Sequence, residues 1–457
     1  MKKIFLLYSL SSILTLSSCN KFLDLEPQSD PTVASFYKTE SDIRNAVNGC
    51  YAALQSNRQY AGHFITLMEV RSDNISDNNS GGNAGRDYNI DRFIAGADNI
   101  AILQAWQSIY NAIYRANAAL ANLDVVPGQS TRNQYEGELR FLRALNYFNA
   151  VRLWGDIPLV LQPVEPEDAY ALIRNDQSEV MEAIIDDLEV AKDLLPPAFG
   201  GDDLGRATNG AAKTLLAKVL LTIGEYGQAS SILKEVIDSK HYELLPVIDS
   251  VFSVNNKMNR EIIFAVRYNK SVVDEGHPIL TYFDGPVLDP LLLNGYPPDD
   301  ARRPLLNTTS VNTRRPVNKF YDIHDLNTNN VGNDFPLLRF ADVLLMYAEA
   351  SNEDNYQLVG DARTALDSVR IRATGTPFND VELADQDLFR SAVADERRLE
   401  LPLECHRWFD LIRTDRAVEV MQGVNLQIER WQYLYPIPLT EVQIVNDPER
   451  FPQNLNY

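Results

Sequence analysis

The chain has 457 residues, 45% of them hydrophobic, which is enough to bury a substantial core in one large domain or two intertwined ones. Its 63 acidic residues against 42 basic ones give a net charge of −21. That balance excludes nucleic-acid binding through a basic surface and docking on anionic lipid through basic patches, and three cysteines are too few for a disulfide framework.

The chain opens on an address. Lys2 and Lys3 precede an apolar run over residues 4–16, too short to span a bilayer, and Leu16, Ser17, Ser18 and Cys19 follow. A cysteine directly after small residues is similar to a bacterial lipobox, whose thiol is acylated before cleavage. The reading is a signal peptide over 1–18 and lipidation at Cys19, with an ordinary signal peptide as the alternative. Loss of Lys2 and Lys3 takes the net charge from −21 to −23. No later segment reaches the roughly 18 consecutive apolar residues of a spanning helix, so the membrane attachment expected is a lipid anchor alone. Residues 19–35, with Pro27 and Pro31 and no helical period, read as a tether.

A helix follows with Ser41 as its cap and Ile43, Val47 and Leu54 along one face. Cys50 lies among these apolar positions, so a buried free thiol is expected, with a Cys50–Cys405 bridge left open. From about 57 to 99 the period breaks, and Asp73, Asn74, Asp77, Asn78, Asn79, Gly81 and Gly82 crowd together in loop chemistry. Helical spacing returns at Leu103, Trp106, Ile109 and Ile113, then at Phe141, Leu145, Phe148 and Val151, then at Val180, Ile184 and Leu188. Leu216, Val219, Leu220 and Ile223, a turn at 224–227, then Ala229, Leu233 and Val236 are similar to a tetratricopeptide helix pair. A second such pair is expected from a helix starting at Pro336 and a partner carrying Ala362, Ala365, Leu366 and Val369. Between the pairs, residues 240–335 are Asn- and Pro-rich with one strand-like run at 262–266. Their aromatic content argues for an ordered irregular layer rather than disorder. The fold class is therefore mostly all-α. Residues 36–239 form an N-terminal helical region, 240–335 the irregular layer and 336–457 a C-terminal region.

Motifs for chemistry are scarce. The five histidines, His63, His241, His277, His324 and His406, do not form a paired helical metal site, and no glycine-rich phosphate loop is present. Asp77, Asn79 and Gly82 fit part of a calcium loop, but Gly81 and Tyr88 stand where ligands belong. No cofactor, metal or catalytic residue is assigned. Tyrosines in loops remain: a ring face suits the C–H face of a sugar while Asp, Asn and Arg meet its hydroxyls. On that ground the candidate ligand-binding residues are Arg71, Asp73, Asn74 and Tyr88 in the first loop, with Tyr282 and Tyr296 in the irregular layer. Trp106, at helical spacing, is assigned to the core.

Several segments resemble the SusD/RagB family of surface lipoproteins, in the family's own order. They are residues 19–24 and the first helix, residues 139–159 with Arg140, Arg143 and Trp154, residues 338–350, residues 396–401 with 406–411, and residues 435–438 through Asn454. Cys405 departs from the glycine usual there, and 455–457 from the common ending. The resemblance implies a helical fold framed by tetratricopeptide-like pairs, outer-membrane anchoring at the cell surface, and capture of oligo- or polysaccharide without catalysis. It also implies a SusC-like TonB-dependent transporter as partner. The alternatives are a lipid-anchored glycoside hydrolase and a peptide-binding or protein-only helical scaffold. Replacing Cys19 with Ala is expected to release the protein from the membrane fraction. Outer membranes from cells lacking any transporter partner decide this, because a variant that still pelleted with them would rule out a single lipid anchor.

Overall fold

The structure is a computed structural model that describes residues 36–77, 80–273, 275–279, 287–306, 317–320, 322 and 331–457. Residues 1–35 with Cys19, and Asn78, Asn79, Tyr282 and His324, lie outside the described residues. Helices of six or more residues are numbered here in chain order. The first, α1, spans Glu40–Leu54, and Ile43, Val47, Cys50 and Leu54 form its buried face. Its cap is Thr39 rather than Ser41: the Thr39 hydroxyl accepts from the Asp42 backbone N–H while the Asp42 carboxylate accepts from the Thr39 backbone N–H. The short α2, Arg86–Asp91, lies in the stretch expected to be loop.

Three long helices build the N-terminal core: α3 (Ile100–Leu120), α4 (Gln129–Trp154) and α5 (Gln177–Leu194). The middle one, α4, packs on both of the others and is buried on almost every face, with Phe141, Tyr147, Phe148 and Trp154 essentially inaccessible. Gly137 permits the approach to the chain beyond α5, because a Cβ there would stand 2.9 Å from the Leu195 side chain. A buried pairing locks the layer: Arg143 grips Asp187 through two hydrogen bonds of 2.7 Å, and Arg140 reaches the same carboxylate at 3.0 Å. Trp106 packs edge-on against Trp154 in the core.

Both expected helix pairs form. The first is α6 (Asn209–Ile223) with α7 (Tyr226–Asp238). After α8 (Pro290–Gly295), the second is α9 (Phe340–Asn355) with α10 (Asp361–Thr374). Helix α7 packs against α9, so the pairs sit side by side although a hundred residues separate them. Pro336 is not at a helix start. It lies in a strand, Phe335–Arg339, paired antiparallel with Ile262–Val266, and α9 begins at Phe340. All five residues of each strand are buried, so pairing with the Ile- and Val-rich partner strand overrides the helical spacing read from Leu337 onward.

The C-terminal region, α11 (Gln386–Glu400), α12 (Arg407–Arg413), α13 (Ala417–Gly423) and α14 (Leu439–Val445), is joined to the rest by buried charge. Arg339, at the end of its strand, donates to Glu404 at 2.7 and 2.9 Å, to Glu400 at 2.7 Å and to Glu261 at 3.0 Å. Lys319 adds 2.6 Å to Glu404. Arg397 links Asp342 on α9 (2.8 Å) to Asp410 on α12 (2.9 Å). Burial raises the Glu400 carboxyl, but Arg372, Arg339 and Arg302 together bring it down to about 2. The signature residues of 396–410 are thus internal struts.

Cys50 and Cys405 are free and buried, with no bridge between them. Burial pushes the Cys50 thiol up to about 12 and the Cys405 thiol well above its ordinary range. Cys405 has a φ of 62°, the left-handed conformation in which glycine is the usual residue.

Arg339→Met is expected to cost about 3–5 kcal/mol, because it leaves three buried carboxylates without their shared cation; urea unfolding measures it, and a loss under 1 kcal/mol would show that the other cations suffice. The depressed Glu400 carboxyl stabilises the fold fully above the usual glutamate range near pH 4.3, and that contribution is lost as pH falls toward about 2. Unfolding curves of wild type and Glu400→Gln should therefore converge over that window.

Candidate functional site

The two regions singled out for binding meet in space. Ile75–Ser76 pairs antiparallel with Val287–Leu288, with Ile75 opposite Leu288 and Ser76 opposite Val287. The Asp289 backbone N–H extends the ladder by donating to the Asn74 carbonyl at 2.9 Å. The Asp289 side chain then caps α8 by accepting from Leu291 N–H at 2.7 Å. A four-residue ladder is thus the hinge on which the first loop and the irregular layer share one edge.

Above this edge α2 forms a polar and aromatic rim. Asn83, Ala84 and Gly85 take left-handed φ values of 49°, 56° and 77°, a tight reversal that presents Asn83 to solvent and starts the helix. Asn83 donates to Asp87 at 2.9 Å, and Arg86 holds the same carboxylate with two bonds of 2.7 Å. Tyr88 is half-buried with the Arg92 guanidinium 5.5 Å from its ring centre, and Ile94 nearby is exposed. Asp91 sits beneath, 3.1 Å from Arg92. Burial first, and the charges of Asp77 and Asp289 in addition, raise its carboxyl to about 7 against the pull of Arg92. Near neutrality it can therefore donate or accept. The rim supplies a ring face, an amide, a guanidinium and the Asp87 carboxylate on the turn and short helix, the groups that recognise vicinal hydroxyls, with Asp91 buried beneath them. Among the described residues no group of three or more ligating side chains gathers to hold a metal ion.

The six sequence-derived candidates divide sharply. Arg71, Asp73, Asn74 and Tyr296 are 1%, 3%, 0% and 4% exposed, so in this structure their side chains face the interior and not an incoming ligand. The Arg71 guanidinium stacks between Tyr435 and Phe93, 4.0 and 4.4 Å from their ring centres, and donates to the Gln432 carbonyl. Asp73 accepts from Arg407 at 2.8 and 3.0 Å and pairs with Arg398 at 2.9 Å. Burial opposes its charge, yet the Arg407 and Arg398 cations hold its carboxyl below the ordinary range. Asn74 donates to Glu69 at 3.0 Å, and the Tyr296 hydroxyl donates to the Leu399 carbonyl at 2.7 Å. These four brace the floor under the rim. Tyr88 stands on the rim itself, and Tyr282 lies outside the described residues. Asn83, Arg86 and Asp87 escaped notice because the left-handed turn that presents them leaves no periodic trace. No helix among the described residues is long and apolar enough to cross a membrane.

Known proteins fit this architecture. Residues 266–457 match the model of the SusD family, and residues 21–221 match a SusD-like model described as starch-binding, associating with outer membrane. A SusD-like protein of Formosa agariphila is 28% identical, with 93% of this chain and 94% of that protein covered. A laminarin-binding SusD-like protein of known structure is 27% identical, with a TM-score of 0.79 over 92% of this chain and 100% of the other. Surface glycan-binding protein A from Bacteroides thetaiotaomicron, solved in complex with laminarihexaose, is 20% identical with a TM-score of 0.76 over 92% and 100% of the two chains. In fold and along nearly its whole length, this chain belongs to the SusD-like family.

Proposed function

We propose that this protein captures a neutral oligo- or polysaccharide at the cell surface without cleaving it. It is held in the outer membrane by acylated Cys19 and passes its ligand to a SusC-like TonB-dependent transporter. The observation that carries the binding reading is the strand ladder joining residues 75–76 to 287–288, which sets the Tyr88 rim beside the irregular layer. Relatives that bind laminarin or laminarihexaose support the ligand class, and the family model named for association with the outer membrane supports the location. The chain's strong negative charge favours a neutral ligand over an anionic one.

In this reading Tyr88 stacks on a sugar face while Asn83, Arg86 and Asp87 meet its hydroxyls. Tyr282 is the second proposed ring. Arg71, Asp73, Asn74 and Tyr296 contribute by holding the floor, so their loss acts on the site through the fold. Calorimetry with laminarihexaose and a panel of other neutral glycans tests this. Tyr88→Ala should cost about 1–3 kcal/mol of affinity with an unchanged melting temperature, whereas Tyr296→Ala should lower the melting temperature. Full affinity in Tyr88→Ala would move the site away from the rim. Prolonged incubation should return the bound glycan uncut; cleavage products that scale with protein and survive repurification would establish the hydrolase alternative.

A further inference from the structure

A second cleft of about 530 Å³ lies between α3, the segment at 158–172 and α14. Trp106 and Tyr110, ring centres 4.9 Å apart, form one wall. Leu172, Val445 and Phe451 continue the apolar surface, and Tyr170 and Ile444 stand at the mouth, 61% and 51% exposed. Among the described residues no lysine or arginine lines it, and Glu441 is the one charged residue in its lining.

Glu441 is half-buried, and the side-chain hydrogen bond it receives comes from Gln107. Burial raises its carboxyl above the usual range, and among the described residues no cation pairs with it to offset that effect. Asp187, Asp342 and Glu404 are each matched by buried cations. Arg174, the cation that acts on neighbouring Tyr110, makes no ion pair with Glu441: its donors go to the carbonyls of Asp156 and Pro452 and to the Asn454 side chain. The cleft therefore offers an uncompensated carboxylate inside aromatic and aliphatic walls. An incoming cation gains from a carboxylate in a low-dielectric setting and from the tyrosine ring faces. Aliphatic Ile444, Val445 and Leu172 suit methylene stems and apolar neighbours. A sugar would find few polar partners for its many hydroxyls, chiefly Gln107, Asn111, Glu441 and the Tyr170 hydroxyl, and an anion would meet repulsion.

We propose that this cleft is a docking site for a protein partner, which inserts a Lys or Arg side chain flanked by apolar residues so that its charge meets Glu441 and its stem lies between Tyr170 and Ile444. This inference stands apart from the glycan rim, since it uses neither Tyr88 nor the ladder beneath it. The test is fluorescence anisotropy on the full mature chain with labelled hexapeptides of one apolar sequence, differing only in Lys, Arg, Gln or Glu at the third position. The Lys and Arg peptides should bind about tenfold more tightly than the Gln peptide, and the Glu peptide more weakly still. Glu441→Gln, which keeps shape and hydrogen bonding, should erase the preference. Tyr170→Ala, at an exposed position, should weaken the Lys peptide, and Tyr88→Ala should leave it unchanged. Absence of binding by all four peptides, no preference for a cation, or a preference that survives Glu441→Gln would each overturn the proposal. So would displacement of the Lys peptide from Tyr88→Ala protein by laminarihexaose, which would assign the cleft to glycan.

Discussion

The structure depends on buried guanidinium groups that bind carboxylates from distant parts of the chain. Arg339 holds Glu261, Glu400 and Glu404, and so ties the strand before α9 to α11 and to the turn after it. Arg397 does the same for α9 and α12. A planar fork with several donors can satisfy two or three carboxylates at once, which an apolar contact of equal volume cannot do with the same directional control. Such pairs add little net stability because desolvation offsets most of their attraction. What they contribute is register: a shifted strand or rotated helix would leave several charges unpaired inside the protein.

The same network reaches the proposed rim. Arg407 and Arg398 hold Asp73, two residues before the ladder strand Ile75–Ser76. Glu69 accepts from the backbone N–H groups of Leu403 and Cys405, both 2.9 Å away, and from Asn74. The floor under α2 is therefore fixed by the C-terminal region. A rim pre-positioned in this way loses less conformational freedom when a flexible saccharide binds. The two helix pairs and the α3–α5 layer supply the rigid body against which the floor is set.

Much of this was legible in the sequence. Periodicity placed α3, α4 and the two helix pairs, because each buries one face against another helix and so keeps its apolar spacing. It failed at Pro336, where a fully buried strand has the same apolar composition as a buried helix turn. It also failed over 57–99, where short helices end before any period can show. Loop chemistry suggested Arg71, Asp73 and Asn74 as ligand contacts. Polar residues in a loop-like stretch read as exposed, yet here they are buried, because their partners, Arg407, Arg398 and Glu69, lie far away in the chain or carry no local signal. Tyr296 misleads for the same reason: its hydroxyl finds a carbonyl more than a hundred residues on. Long-range pairing cannot be read from local pattern.

The two sequestered thiols carry a different consequence. Cys50 and Cys405 are unpaired in the fold, and a thiol that met an oxidant in solvent would be open to cross-linking. Their burial keeps both protonated and away from solvent, so the finished fold is chemically closed to them. They become reactive only while the chain is open, before folding or after denaturation. Rapid burial of the α1 face and of the turn at 405 is then the chain's protection against wrong cross-links, and any disulfide found in the mature protein is a record of a molecule that folded too slowly.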